Sequence, residues 1–314
     1  MPSPQTKYLQ DYRPPIYWVD AVELHVAIHD DHTEIRSRLQ LRKNSAAETG
    51  ADLVLDGRQL ELRELKLNGV TLAPEAYRLT EEHLIIPAAP ADLVLEGVTR
   101  IQPERNTSLE GFYRSGPVLC TQCEAHGFSR ITYFPDRPDV LARFTATLEA
   151  DSARYPLLLA NGNEVGRGGL PDGRHWVRWE DPFPKPCYLF AMVAGKLACV
   201  QDQFRTASAR EVSLRIYVEP GEERRAAFAL ASLKQAMRWD EEAYGLEYDL
   251  DLYMIVAVRD FNMGAMENKG LNLFNSRYIL ADARTATDND YEHVQSVIGH
   301  EYFHNWTGNR VTCR

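Results

Sequence analysis

The pentapeptide His300-Glu301-Tyr302-Phe303-His304 constrains this sequence more than any other stretch. On an α-helix its two histidines lie about 40° apart around the axis and one turn apart along it. Both imidazoles can therefore reach one metal ion, and Glu301 can act on a water molecule beside that ion. The pattern predicts a hydrolytic zinc site on a helix, with the two histidines as ligands and the glutamate as general base.

The residues around the pentapeptide predict the limits of its helix. Asn289 followed by Glu292 resembles a capping box, and Asp290 suits the positive end of a helix dipole. Thr307-Gly308-Asn309 would end the helix shortly after the second histidine. The metal-binding residues are therefore predicted to occupy the C-terminal turns of a helix of ordinary length.

The sequence supplies only two clear ligands, whereas a catalytic zinc needs three and an open position. His293 lies seven residues before His300, a rise of about 10.5 Å, which one ion with bonds of about 2 Å cannot bridge. Glu292 is excluded for the same reason, and no carboxylate follows His304. As written, the site is incomplete.

Composition indicates a globular protein of about two domains, since 314 residues are 44% hydrophobic and 25% charged. The net charge of −10 disfavours a nucleic-acid partner. The N-terminus lacks the pattern of a secretory signal, and no apolar run approaches the ~20 residues that cross a bilayer, so no membrane partner is expected. Cys120 and Cys123 form a C-x-x-C pair without a second pair, and they are interpreted as reduced thiols in a cytoplasmic protein.

Residues 16 to about 195 predict a β-rich region. Val22, Leu24, Val26 and Ile28 alternate with other side chains, and the alternation resumes over 33–41 after an Asp-Asp-His turn, which predicts a hairpin. Regular strand and turn spacing favours sandwiched or saddle-like sheets. The stretch 113–124 differs, because small, polar and acidic residues follow one another without alternation, and we interpret it as a loop.

The second part of the chain predicts a mixed α/β region. A strand at 212–218 ends at Pro220-Gly221, and a helix is predicted from about 222 to 244 with an apolar stripe from Ala226 to Tyr244. The uninterrupted apolar run Leu252–Val258 predicts a buried strand. Between that strand and the metal-site helix, two glycines flank a lone carboxylate in residues 261–270, which are compatible with an edge strand that could bind an extended peptide or with an ordinary turn.

Gly264-Ala265-Met266-Glu267-Asn268, followed about thirty residues later by H-E-x-x-H, resembles the zinc aminopeptidases of the aminopeptidase N family. The stretch VIGHEYFHNWTGNRVTCR is similar to the bacterial branch of that family. The resemblance extends over essentially the whole chain and implies an α+β multidomain protein. Residues 1–196 would form a β-rich saddle or sandwich domain that contributes to the site for the substrate N-terminus. Residues 197–314 would form the first part of a thermolysin-like α/β catalytic domain.

The resemblance also implies parts that the sequence does not contain. In the family the third zinc ligand is a glutamate about nineteen residues after the second histidine, which would fall near position 323. A tyrosine that stabilises the oxyanion, and helical domains, would follow. We therefore expect one zinc ion with a third ligand beyond Arg314, and an N-terminal fragment that is inactive by itself.

Residue roles follow from the resemblance together with general chemistry. Glu301 would accept a proton from the attacking water and pass it to the leaving amine, while His300 and His304 bind zinc. Glu267 and Glu124 resemble the residues that bind the free α-ammonium group of a peptide substrate. The full set of expected substrate-binding residues is Glu124, Glu267, Gln122, Met263, Gly264, Ala265, Met266 and Asn268.

Two alternatives remain beside a zinc aminopeptidase. The same H-E-x-x-H pattern serves related metallohydrolases, such as an endopeptidase or an epoxide hydrolase. The chain could also be an inactive fragment. Glu124 and Glu267 favour the aminopeptidase, since two carboxylates on one ammonium group would restrict cleavage to the N-terminus.

Overall fold

Strands predominate in the computed structural model, which describes residue 6 and residues 8–48 and 50–312. In chain order the strands are β1 (Tyr17–Ile28), β2 (Thr33–Lys43), β3 (Leu53–Asp56), β4 (Glu61–Leu67), β5 (Val70–Thr71), β6 (Arg78–Leu79), β7 (His83–Ile86), β8 (Asp92–Ile101), β9 (Gly111–Ser115), β10 (Val118–Gln122), β11 (Leu141–Asp151), β12 (Leu157–Ala160), β13 (Asn163–Gly169), β14 (Arg174–Pro186), β15 (Met192–Gly195), β16 (Ala198–Arg205), β17 (Glu211–Val218), β18 (Leu252–Val258), β19 (Ala265–Met266), β20 (Leu271–Asn275), β21 (Thr307–Gly308) and β22 (Val311–Thr312). The α-helices are α1 (Ala227–Tyr244) and α2 (Asp288–Phe303). Short 3-10 helices lie at Leu9–Asp11, Pro74–Ala76, Pro103–Arg105, Phe128–Arg130, Pro171–Gly173, Cys187–Leu189, Glu223–Ala226 and Ser276–Tyr278.

The N-terminal part contains an eight-stranded sheet in the order β13-β14-β11-β1-β2-β8-β4-β5. The predicted hairpin is confirmed, because β1 and β2 pair in antiparallel register, with Val22 opposite Leu39. Val22, Leu24 and Val26 are buried on the core face. A four-stranded sheet, β12-β15-β10-β9, and a three-stranded sheet, β3-β7-β6, accompany it. The alternating residues therefore place one polar and one apolar face on the large sheet.

The stretch 113–124 is mostly strand, so the loop interpretation is wrong. β9 and β10 form an antiparallel hairpin in which Tyr113 lies opposite Cys120. All five residues of β10 are buried, and four of the five in β9 are. Burial on both faces removes the alternation by which a half-buried strand is recognised.

The second part is built on a five-stranded sheet in the order β16-β17-β18-β20-β19. Its central strand β18 is buried at every residue, as the apolar run predicted. Met254 and Val256 face the core of the N-terminal part. Tyr253 and Ile255 face the opposite way, toward the core beneath α1 and α2. One face of the sheet thus packs against the N-terminal part, and the other packs against α1 and α2.

The helices differ from prediction at their ends. The predicted helix from 222 starts as a 3-10 helix, and α1 itself begins at Ala227. Leu230, Leu233 and Met237 of the predicted stripe are buried, but Tyr244 is 55% exposed. Gly245 ends α1 in the left-handed conformation (φ 67°), as helix C-termini favour.

The capping box of α2 is not the predicted one. Thr287 is the N-cap, and it exchanges hydrogen bonds with Asp290, whereas Asn289 and Glu292 lie inside the helix. The two pairs have the same spacing of three residues, and the true one starts two residues earlier. None of the helices in the described part of the chain is both long and apolar enough to cross a membrane.

Candidate metal and substrate site

The C-terminal end of α2 presents both histidines on one side. His300 lies in the last turn, and His304 is the residue immediately after the helix. Their Nε2 atoms are 3.0 Å apart, and the ring planes are nearly perpendicular at 84°. Two ligands on a tetrahedral zinc with bonds of about 2 Å would be separated by roughly 3.3 Å. The pair is therefore spaced to share one ion.

His304 is oriented by a contact on its other nitrogen. Its Nδ1 lies 2.8 Å from the carbonyl oxygen of Thr307. Since a carbonyl only accepts, Nδ1 carries the proton and Nε2 keeps its lone pair for a metal. Gly308 packs against the same ring, where a Cβ would lie 2.8 Å from Nδ1, and its φ of +133° also favours glycine. The turn after α2 thus fixes both the tautomer and the position of the ring.

Glu301 is a buried carboxylate with an unsatisfied oxygen. The residue is 6% exposed, and its Oε2 atom has no hydrogen-bond partner among the described residues. Burial, and then the negative charges of Glu267 and Glu124, raise the pKa of Glu301 to about 8. The unpartnered oxygen of Glu301 is therefore placed to interact with a cation, or with a water molecule, that the neighbouring ligands would hold.

Glu267 enters the site from the edge of the five-stranded sheet. It follows β19, which pairs with β20 in antiparallel register and is the last strand on that side. The main-chain oxygen of Glu267 accepts a hydrogen bond of 2.8 Å from Asn309 Nδ2. A carboxylate oxygen of Glu267, one of Glu301 and a ring nitrogen of His304 all lie within 4.8 Å of one another. The edge strand therefore brings a second carboxylate to the metal-site helix.

Glu124 reaches the same place from the N-terminal part. It lies two residues after the end of β10 and is half-buried. Burial, and then the charge of Glu267, raise the pKa of Glu124, while His304 acts in the opposite direction. The tight turn behind it needs Gly127, because a Cβ there would lie 2.2 Å from the carbonyl oxygen of Gln122. Carboxylates from three separate elements thus interact electrostatically with one another near His304.

The remaining expected site residues differ in their burial and in their hydrogen bonds. Gln122 is fully buried, and its Nε2 contacts the sulfur of Met263 at 3.2 Å, while its Oε1 has no partner in the described residues. Met263 is 44% exposed. Gly264 accepts a hydrogen bond of 3.0 Å from Asn275 N, and Ala265 and Met266 form β19. Asn268 is 1% exposed, and neither polar atom of its side chain has a partner among the described residues.

Residues 13–189 match the peptidase M1 N-terminal domain, and residues 228–314 match the peptidase family M1 domain. The chain belongs to peptidase family M1. It is 54% identical over 312 residues to the aminopeptidase N of Caulobacter vibrioides and, over the same length, 54% identical to that of Escherichia coli. Both matches cover 99% of this M1 chain but 36% and 35% of the relatives, so the chain spans about a third of their length.

A solved M1-like structure has the same fold. The aminopeptidase A of Legionella pneumophila, determined in complex with aspartic acid, matches with a TM-score of 0.93 at 38% identity. The match covers 97% of this chain and 36% of that chain. The predicted fold class is confirmed: a β-rich N-terminal part is followed by the start of the M1 catalytic domain. The exact boundary at 196/197 stays a prediction.

Two residues of this M1 site were missed in the sequence. Gly308 and Asn309 were interpreted only as a helix end, yet one packs on His304 and the other holds the backbone of Glu267. Their positions four and five residues after His304 place them in the turn beneath the ring. The residue types at these two positions, a glycine and a side-chain amide, were the signals from which their roles could have been inferred.

Proposed function

We propose that this protein is a zinc-dependent aminopeptidase that removes N-terminal residues from peptides. The observation that carries the proposal is the convergence of Glu124 and Glu267, from separate parts of the fold, beside Glu301 and the histidine pair. A hydrolytic centre alone would not need two further carboxylates. A substrate with a free α-ammonium group would neutralise them.

We infer that one zinc ion binds His300 and His304. The 3.0 Å separation of their Nε2 atoms and the unpartnered Oε2 of Glu301 fit a cation at this position. The proposed third ligand is the glutamate expected near position 323, outside this sequence. When bound, zinc would polarise the scissile carbonyl and lower the pKa of a water molecule.

The residues of this chain would then bind, orient and transfer protons. Glu124 and Glu267 hold the α-ammonium group, which places the first peptide bond next to Glu301. Glu301 accepts the proton of the attacking water and delivers it to the leaving amine, since the catalytic group must both take up and release a proton. Backbone groups of Gly264 and Ala265 at the sheet edge align the peptide as an added strand.

The first side chain of the substrate would lie beside Gln122 and Met263. The buried Oε1 of Gln122 and the partly exposed thioether of Met263 offer one polar and one polarisable surface. Met266 and Asn268 are fully or almost fully buried, and we propose that they shape the wall behind Glu267.

Matched substrates test the recognition of the free N-terminus. The full-length protein should hydrolyse an amino-acid anilide and not its N-acetylated form, because acetylation removes the charge that Glu124 and Glu267 would bind. Comparable turnover of the acetylated compound, or cleavage inside a blocked peptide, would instead support an endopeptidase.

Removal of the metal tests the proposal that hydrolysis depends on zinc. Chelation should abolish hydrolysis of the anilide, and stoichiometric zinc should restore it. Full activity in protein shown by metal analysis to contain less than one-tenth of an equivalent of metal would exclude zinc catalysis.

We also propose a cytoplasmic, reducing location. The four cysteines in the described part of the chain are free, and Cys120, Cys123 and Cys187 among them are buried. Thiols of this kind persist where disulfides do not form.

A further inference from the structure

Lys269 is a buried lysine that connects the two elements of the site. It follows Glu267 by two residues and is 2% exposed. Its Nζ donates a hydrogen bond of 2.7 Å to Oδ1 of Asn305, the residue directly after His304. The same Nζ donates to a carboxylate oxygen of Asp249. Lys269 thus lies two residues after Glu267 in the chain, and its side chain contacts the residue adjacent to His304.

Asp249 forms an ion pair with the ammonium group of Lys269. It lies between α1 and β18, and its second oxygen accepts from Arg310. Asn305 Nδ2 adds a contact of 3.3 Å to the first oxygen. A buried ammonium group is costly unless it is paired and hydrogen-bonded, so these contacts hold Lys269 to a narrow range of positions.

Asn161 extends the connections to the part of the chain that carries Glu124. Its Nδ2 donates to the main-chain oxygen of Lys269 at 2.8 Å, and its Oδ1 accepts from the backbone N of Ala191 at 2.7 Å. The next residue along, Met192, donates its N–H to Thr121 Oγ1 at 3.0 Å. Thr121 belongs to β10, the strand that leads into Glu124.

We propose that Lys269 is a positioning residue that sets the relative placement of Glu124, Glu267 and His304. We define the Lys269 network as Lys269 with Asp249, Asn305 and Asn161. The proposal rests on the proposed function, because it assigns the network a role in holding the two ammonium-binding carboxylates against the metal-site helix.

The geometry explains why a lysine would serve here. The Lys269 side chain reaches from the end of the edge strand to the turn after α2. The backbone hydrogen bonds between β19 and β20 do not connect these two elements. Displacement of a binding group by about 1 Å can lower activity by about a hundredfold. Loss of the lysine should therefore disturb ammonium recognition beyond any loss of stability.

The test is Lys269→Met in the full-length protein. Methionine fills a similar volume without the ammonium group, and Asp249 keeps Arg310 and Asn305 as partners. Two competitive inhibitors that differ only in an α-amino group are titrated, and the ratio of their inhibition constants is compared with the ratio for the unsubstituted protein. A general loss of folded protein leaves this ratio unchanged, whereas misplaced carboxylates lower it.

Arg210→Met is the matched control. Arg210 donates to the carbonyl oxygen of Leu250 at 2.7 Å and to that of Tyr248, so it stabilises the same segment as Asp249. It does not contact Lys269 or Asn305 among its described partners. We expect the inhibitor ratio to fall by about tenfold or more in Lys269→Met and to stay within about twofold in Arg210→Met.

Each outcome decides the proposal. A lower melting temperature with an unchanged ratio in Lys269→Met would overturn it and leave a purely structural lysine. If the unsubstituted protein does not prefer the amine-bearing inhibitor, then the proposed function itself fails, and this inference fails with it. Should Lys269→Met not fold, Asn161→Ala carries the same test, because it removes a link of the network and leaves the buried ion pair intact.

Discussion

Replacement of Glu301 by Gln is expected to stabilise the metal-free protein while strongly lowering the proposed hydrolytic activity. Burial and the charges of Glu267 and Glu124 raise the pKa of Glu301 from its usual 4.5 to about 8. The folded protein therefore binds a proton at Glu301 between about pH 4.5 and pH 8, where the unfolded chain has released it. Wild-type stability is highest below this window and falls as the pH rises through it. A glutamine has no proton to release, so the variant should not show this loss.

The magnitude follows from the two pKa values. At about 1.4 kcal/mol per pKa unit, the whole window corresponds to about 5 kcal/mol. At pH 7 the advantage of Glu301→Gln should be about 3 kcal/mol, and at pH 5 it should be below about 1 kcal/mol. Hydrolysis should fall by about 10²- to 10⁴-fold, because the group that transfers the proton is lost.

Denaturant unfolding of chelated protein between pH 5 and pH 8 measures this difference. Glu292→Gln, the same chemical change at an exposed position of α2, is the control and should show no comparable dependence on pH. Addition of zinc should shrink the advantage of Glu301→Gln, since a nearby cation favours the ionised carboxylate. An advantage that is the same at pH 5 and pH 8 would refute the account of Glu301 as a carboxyl held protonated by burial and by its neighbours.

Three further predictions concern the turn after α2, the N-cap of α2 and the binding of the substrate ammonium group. Gly308→Ala should weaken zinc binding by about tenfold or more in a chelator competition, because the new Cβ displaces His304, and unchanged affinity would contradict the tight contact. Thr287→Ala should destabilise the protein by about 1 kcal/mol in denaturant unfolding, because the N-cap of α2 is lost. Asn289→Ala, the control, should destabilise it by less than about 0.5 kcal/mol. A larger loss of stability in Asn289→Ala than in Thr287→Ala would show that Asn289 is the N-cap. Glu124→Gln should raise KM for an amino-acid anilide by about tenfold to a hundredfold with a smaller effect on kcat, and an unchanged KM would remove this residue from substrate binding.

The contrast between β18 and β10 shows how far the sequence predicts the fold. Both strands are buried at every residue. β18 is apolar throughout and was predicted correctly over Leu252–Val258. β10 contains Thr121 and Gln122, which are polar and fully buried, so neither apolar character nor alternation marks it. Thr121 is compensated by the backbone of Met192, a partner that lies 71 residues away and is invisible in the local pattern.

The two halves of the site differ in the same way. The relative positions of His300, Glu301 and His304 follow from their spacing alone, because the three residues occupy about one turn of the same helix. Glu124 lies 143 residues before Glu267, and no spacing rule relates them; only the family resemblance suggested that they meet. Lys269 carried no signal at all, since a lysine beside a turn is ordinarily exposed.

The charges of the site connect its stability with its proposed chemistry. Glu124, Glu267 and Glu301 lie close enough to raise the pKa of at least two of them. Lys269 does not balance them, because Asp249 already pairs with it. The site without ligands is therefore destabilised by its own carboxylates. A metal cation and a substrate ammonium group each relieve part of that repulsion, so each should bind more tightly to the folded protein than its contacts alone would provide, and each should stabilise the fold by mass action. On this reasoning the carboxylates that lower the stability of the free protein would also produce the proposed selectivity for a cationic N-terminus.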